Sequence, residues 1–422
     1  MSLRDFRKAG HAPTLAAAFL YFDVSFMVWV ILGPLAPFLG EALKLTATQK
    51  GILTAIPLLG GSFFRPILGW MTERFGGRRT GLIGLGVSLI PLAAAWQLAT
   101  AFDHFLALGL LLGVAGASFA AALPLASGWY PPEHQGLAMG IAGAGNSGTL
   151  LATLFAPRLA QAFGWRSVFG MAMIPVCLVW VAFFLMAKDA PGTRVMKKWK
   201  DYAAILREAD SWWFCFLYSI TFGGFVGLAS YLSVFFHDQY HLTKVQAGDF
   251  ATVVVVFGSF LRPVGGLLSD RLGGYRMLLA LLAIVGLSLA GVATLPTAGI
   301  ALVLLACTMA MLGMGNGSVF QLVPQRFQGR VGIMTGIVGA AGGFGGFLLP
   351  SILGAIKDRT GSYAIGFALF AGIALTASAA LLQIGRAWRV RWGEDSCRRA
   401  GLIRDVSGAA VSFPDSLPQS ES

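Results

Sequence analysis

The feature that most constrains this chain is a succession of apolar stretches, each about as long as a bilayer is thick. Residues 14–40, 51–71, 80–100, 105–129, 136–160, 165–187, 211–236, 246–270, 275–296, 299–322, 330–354 and 362–387 make twelve of them. A hydrocarbon core about 30 Å thick is crossed by about 20 apolar residues in an α-helix. Of the 422 residues, 56% are hydrophobic and only 12% are charged, which rules out an ordinary soluble domain. The 55 glycines and 18 prolines fall largely inside these stretches. In lipid, that composition implies close helix contacts and bends, because neighbouring helices can satisfy the backbone groups a bend frees.

Charge placement orients the bundle. With twelve spans and a cytoplasmic N-terminus, most of the 31 lysines and arginines fall in cytoplasmic segments, as the positive-inside bias requires. The net charge of +12 is then explained by that bias and by the basic tail, Arg386, Arg389, Arg391, Arg398, Arg399 and Arg404, lying against anionic membrane lipid. No nucleic-acid partner is needed. The first apolar stretch is too long for a signal-peptide core and reads as a retained span. Both termini are expected in the cytoplasm, with the chain in the inner (plasma) membrane. The four cysteines, Cys177, Cys215, Cys307 and Cys397, are isolated, so neither a disulfide framework nor a metal site is indicated, and no cofactor is expected.

Internal repetition supplies the architecture. The segment FFRPILGWMTERFGGRRT from Phe63 aligns without gaps on FLRPVGGLLSDRLGGYRM from Phe260, identical at 8 of 18 positions. GIAGAGNSG from Gly140 pairs in the same way with GIVGAAGGFGG from Gly336. Two six-span halves of the same orientation follow. Residues 1–187 form the N-terminal half and 211–387 the C-terminal half. Residues 188–210 form a polar, basic cytoplasmic connector with a short amphipathic part, and 388–422 read as a disordered cytoplasmic tail. The loops GWMTERFGGRR and GLLSDRLGGYR resemble the signature of the major facilitator superfamily. The fold expected is therefore all-α and integral to the membrane: twelve transmembrane helices in two pseudosymmetric six-helix halves. In such loops Glu73, Arg74, Asp270 and Arg271 can pair with neighbouring charges or cap a helix end, and so latch the cytoplasmic gate.

Within the repeat lies an arginine pair, Arg65 in the second span and Arg262 in the eighth. A charge at bilayer depth costs roughly 2.5–3.5 kcal/mol on insertion scales. Something must offset that cost. Several residues separate each arginine from its loop, which argues against snorkelling, and Asp23 is the one acid well inside a span. Equivalent positions of the two halves face each other across the central path. Two guanidiniums converging without carboxylates describe a site for a small oxygen-rich anion: nitrate, a carboxylate or phosphate.

Several further stretches resemble the nitrate/nitrite porter family of that superfamily, over about Phe22 to Gly354. The glycine segments of the fifth and eleventh spans match its signatures at Gly140, Gly143, Gly145 and Gly148, and at Gly336, Gly339, Gly342, Gly343, Gly345 and Gly346. FLYSITFGGFVG from Phe216, GVAGASFAAAL from Gly113 and GMGNGSVFQLVPQRF from Gly313 are similar to its seventh, fourth and tenth spans. The resemblance implies that Arg65 and Arg262 grip the anion, that Tyr218 donates to it, and that Phe119 and Phe222 flank it. Asn146, a lone amide among glycines, is a further donor. The glycines themselves let helices approach and slide.

What is implied is a secondary transporter of nitrate or nitrite working by alternating access, not an enzyme. Proton-coupled nitrate uptake is favoured over obligate nitrate/nitrite exchange if Asp23, the candidate proton carrier, borders the pocket. Exchange needs no protonation, because a bound anion lowers the charge that must be moved. The external cluster His237, Asp238 and His241 reads as solvated loop residues. A carrier of another oxyanion or organic acid in the same superfamily would share the paired arginines. Organophosphate exchangers place theirs in the first and seventh spans, which argues against that branch. A sensor that binds without transporting has no signalling domain in the tail to support it.

Overall fold

A computed structural model describes residues 9–191 and 199–403. Eleven of its helices are long and apolar enough to cross a membrane: Ala12–Ala42, Ala47–Phe75, Gly77–Gln97, Phe102–Ser127, Trp165–Met186, Ala209–Tyr240, Lys244–Leu272, Gly274–Ala293, Ala298–Arg326, Val331–Thr360 and Ala364–Arg391. The fifth span completes the twelve in two pieces, Pro132–Gly143 and Gly148–Phe163, joined by a 3-10 turn over Ala144–Ser147. The glycines of its signature explain the break, since each weakens a helix by about 1 kcal/mol relative to alanine.

The two halves repeat one another down to their helix ends. The second and eighth spans both open on a capping box, Thr46 with Gln49 and Thr243 with Gln246. Both stop at a glycine of positive φ, Gly76 at 92° and Gly273 at 86°, a conformation that disfavours any residue with a Cβ. Symmetry fails elsewhere. The first span is interrupted after Trp29, where Pro34 removes the donor that would bond the Val30 carbonyl, and the fourth is interrupted between Gly116 and Phe119. Their counterparts, Ala209–Tyr240 and Ala298–Arg326, run unbroken.

The halves meet where the second span packs on the eleventh, the fifth on the eighth and the first on the seventh. At the end remote from the termini they are also tied by charge. Lys50 pairs with Asp238 at 2.8 Å, Arg158 with Asp249 at 2.7 Å, and Lys244 with Glu41. Asp358 accepts the backbone N–H groups of Ala47 and Thr48 at 2.9 and 2.7 Å, capping the second span from the opposite half. This replaces the reading of Asp238 as a solvated loop residue. His237 and Asp238 belong to the last turn of the seventh span, and His237 Nδ1 bonds the Leu242 carbonyl.

At the other end, a buried carboxylate organises the C-terminal half. Asp210 accepts from Arg326 Nε and from the indole N–H groups of Trp388 at 3.0 Å and Trp392 at 3.4 Å. Phe214 stacks on both indoles. The tail therefore does not begin at residue 388. The last span continues to Arg391, and a further helix, Glu394–Ala400, packs with Ser396, Cys397 and Ala400 buried. Residues 404–422, including Arg404, lie outside the described residues. In the connector, Trp199–Leu206 is helical and 192–198 lie outside the description.

Candidate functional site

Arg65 and Arg262 each lie ten residues before the last residue of their helices, Phe75 and Leu272. At 1.5 Å per residue that is about 15 Å from the helix end, close to the middle of a bilayer core. Arg65 is 4% exposed. Its Nε donates to the Gly116 carbonyl at 3.3 Å and its Nη1 to the Gly339 carbonyl. The guanidinium carbon lies 5.0 Å from the ring centre of Phe222, 5.5 Å from Trp29 and 5.9 Å from Phe119. Carbonyl dipoles and ring faces thus offset part of its burial, and no carboxylate among the described residues pairs with it.

Arg262 is less enclosed, yet its Nη1 is buried and has no hydrogen-bond partner among the described residues. The Tyr218 hydroxyl is within electrostatic reach of both guanidiniums and interacts directly with Arg262. Tyr218 and Phe222 lie parallel, ring centres 5.1 Å apart and planes 1° apart. One helical turn separates them on the seventh span, which explains the stack. Phe119 approaches from the break in the fourth span and stacks on Phe320 of the opposite half at 6.0 Å. Asn146 sits in the 3-10 turn of the fifth span, fully enclosed, with neither amide atom satisfied. Six sequence-derived residues from the second, fourth, fifth, seventh and eighth spans therefore lie on the inner surfaces of the bundle, with the arginines and aromatics converging at its centre.

The signature glycines divide into two groups. A methyl at Gly342 would lie 2.6 Å from the Tyr218 ring and 2.9 Å from Phe222, so the eleventh span must be bare where the aromatic pair leans on it. Gly343 faces Ser62 of the second span, Gly345 faces Ser219 and Gly346 faces Val226 of the seventh. Gly339 contributes its carbonyl to Arg65. Gly145 and Gly148 press on the backbone around Asp23. By contrast, a methyl at Gly140, Gly143 or Gly336 would meet nothing within 4 Å.

Asp23 pairs with neither arginine. Its Oδ1 accepts from Ser147 Oγ at 2.7 Å, so it buttresses the broken fifth span directly behind Asn146. Glu73, Arg74, Asp270 and Arg271, expected in loops, belong instead to the last helical turns of the second and eighth spans, and Arg74 lies over Trp70 and Phe75, 5.6 and 5.8 Å from their ring centres. Glu73 lies near Tyr202 of the connector helix, where burial first and the Glu73 charge second push the tyrosine hydroxyl above its ordinary pKa. Asp270 and Arg271 are exposed and make no ion pair among the described residues. The pairs that do organise this end lie beside the loops: Arg326 with Glu208 at 2.9 Å and Arg330 with Glu208 at 2.6 Å.

Three side chains at the centre escaped the sequence reading. Trp29, anchored by its indole N–H to the Pro57 carbonyl at 2.6 Å, covers Arg65, and Phe320 stacks between the halves. An aromatic residue in an apolar helix leaves no local signal of such a role. Asn316 is fully enclosed with both amide atoms unsatisfied, and its signal was present: like Asn146, it is a lone amide in a glycine-rich stretch.

Twelve spans in two repeated halves define a class, the major facilitator carriers. The family model described as Major Facilitator Superfamily matches residues 17–350. Known folds agree: the structure superposes on a D-xylose-proton symporter with a TM-score of 0.73 at 15% identity, covering 88% of this chain and 97% of that one. A bacterial homologue of the human lysosomal transporter Spinster gives 0.69 at 17% identity, covering 90% and 98%. Within that superfamily the chain belongs to the nitrate/nitrite porter family. It is 35% identical over 378 residues to the nitrite extrusion protein of Bacillus subtilis (strain 168), covering 87% of this chain and 92% of that protein. It is 34% identical to a probable nitrate/nitrite transporter, NarK2, of Mycobacterium tuberculosis, covering 87% and 95%. Against a probable nitrate transporter, NarT, of Staphylococcus carnosus, identity is 34%, covering 83% and 91%.

Proposed function

We propose that this multi-pass membrane carrier moves nitrate and nitrite across the cytoplasmic membrane by alternating access, with both termini in the cytoplasm. The observation that carries the reading is the arginine pair at mid-depth with no carboxylate partner among the described residues, in which Arg262 Nη1 is buried and unsatisfied. A buried donor without an acceptor is costly, and a planar oxyanion supplies the acceptor and the missing charge together. Arg65, Arg262 and Tyr218 bind the anion, Asn146 supplies an amide, and Phe119 and Phe222 close over its faces.

In this conformation the ion pairs Lys50–Asp238, Arg158–Asp249 and Lys244–Glu41 hold the external side shut. Opening that side breaks them, and the bare faces of the second, seventh and eleventh spans provide the surface on which the halves rock. The helix ends bearing Glu73 and Arg74, and Asp270 and Arg271, close the opposite side in the other half of the cycle. Coupling is assigned to protons, with Asp23 as the group that titrates. Its bond to Ser147 links its charge state to the turn that holds Asn146.

Purified protein in sealed vesicles tests this. Uptake of nitrate and nitrite is measured with and without a proton gradient, and with and without nitrite or nitrate inside. Gradient-driven uptake into anion-free vesicles is expected. Uptake seen only against an internal anion would replace symport by exchange, and uptake of neither ion would reject the substrate.

A further inference from the structure

Asn316 lies in the middle of an unbroken helix, Ala298–Arg326, is fully enclosed, and leaves both its amide nitrogen and its amide oxygen without a partner. A side-chain amide offers two donors and an acceptor, and enclosing them unsatisfied costs about 1–3 kcal/mol per group. The helix does not end there, so Asn316 serves no cap.

Its position follows from the repeat. Gly113 packs on Gly60, and Gly313 packs on Gly258, in the same helix-on-helix contact of the two halves. Pro124 and Pro324 follow at the same distance along the chain. Asn316 therefore occupies the place of Gly116, the residue whose carbonyl accepts from Arg65 Nε. The neighbouring Gly317 confirms the register, because a methyl there would lie 2.9 Å from the Arg262 carbonyl oxygen. One turn further, Phe320 packs on Phe119 and Tyr218, so this face of the tenth span looks into the site. The second arginine thus has beside it an amide where the first has a backbone carbonyl, and Arg262 Nη1 is itself unsatisfied.

We propose that Asn316 is a specificity-determining residue of the anion site, resting on the nitrate/nitrite reading above. Arg65 already gives two of its donors to backbone carbonyls. The donors left for substrate are the three N–H groups that Arg65 does not use, those of Arg262, the Tyr218 hydroxyl and the two unsatisfied amides, Asn146 and Asn316. Asn316 Nδ2, unpartnered in this structure, donates to an oxygen of the anion held by Arg262. Nitrate presents three oxygens to this ring of donors and nitrite two. A site built to hydrogen-bond a group discriminates against the analogue that lacks it, because its buried polar atoms are then left unpaired. Asn316 is accordingly the donor that nitrate uses and nitrite leaves idle.

The test measures nitrate and nitrite affinity of the full-length purified chain by calorimetry, for the wild type, Asn316→Leu and Asn316→Ser. Leucine matches the volume and removes every hydrogen bond; serine keeps a donor. The expected result is a loss of nitrate affinity of about 10-fold or more in Asn316→Leu, with nitrite changed less than about 3-fold, and partial recovery of the ratio in Asn316→Ser. A nitrate-to-nitrite ratio unchanged within about 2-fold in the leucine variant, whether both affinities fall or neither does, overturns the proposal and leaves Asn316 a packing residue. If the leucine variant does not fold, Asn316→Ala is read against the same criterion. A wild type that binds neither ion sinks the substrate reading itself, an outcome distinct from an unchanged ratio.

Discussion

Alanine at Gly342 and alanine at Gly336 should have opposite consequences, although both belong to one glycine signature. At Gly342 the new methyl would lie 2.6 and 2.8 Å from two carbons of the Tyr218 ring and 2.9 Å from Phe222. Carbon atoms pack comfortably at about 3.5–4.0 Å, so the overlap is about 1 Å and the aromatic stack must slide. Overpacking of that size costs about 1–3 kcal/mol, or about 5- to 150-fold in the population of the arrangement that lets Tyr218 reach Arg262. At Gly336 nothing lies within 4 Å, and alanine in a helix interior gains about 1 kcal/mol over glycine. The assay is initial nitrate uptake into proteoliposomes at equal protein content, with thermal melting to confirm folding. Gly342→Ala should lose at least about 5-fold in uptake while still folding, and Gly336→Ala should keep its rate and melt no lower. Equal losses at both positions would show that these glycines act through backbone freedom rather than close packing, and the geometric argument would fail.

Arg262→Lys keeps the charge and loses the fork, so nitrate affinity measured by calorimetry should fall about 10-fold or more; an unchanged affinity would remove Arg262 from the site. Asp23→Asn should abolish the gain in uptake produced by an inward proton gradient while leaving counterflow exchange intact, and persistence of the gain would place coupling elsewhere. Replacing Lys50 by methionine removes a largely enclosed ion pair between the halves. Labelling of a cysteine introduced above the site on the external side should then speed up a few-fold, and an unchanged rate would mean the pair does not hold that side shut. Asp210→Ala leaves Arg326 and two indole N–H groups without their shared acceptor, and should lower stability by about 1–3 kcal/mol, read as a lower melting temperature.

The legibility of this molecule divides along physical lines. Hydrophobic length, helix caps and the repeat are local properties of the chain, and they sufficed for the twelve spans and for the matched positions of Arg65 and Arg262. Tyr218, Phe222 and Phe119 came onto the same site through the likeness of their spans to related ones. Sequence alone could not show that Arg65 is shared between Gly116 and Gly339, because carbonyl partners carry no side-chain identity. Nor could it show that Asp23 buttresses Ser147, that Asp238 closes on Lys50, or that the tail is drawn inward by Asp210 through Trp388 and Trp392. All of those contacts join residues on different helices, far apart in the chain, and only the packing of those helices decides which polar groups meet. The residue types and their depth in the membrane pointed to an anion site; the crossing of the spans decided which donors are left unpaired at the centre.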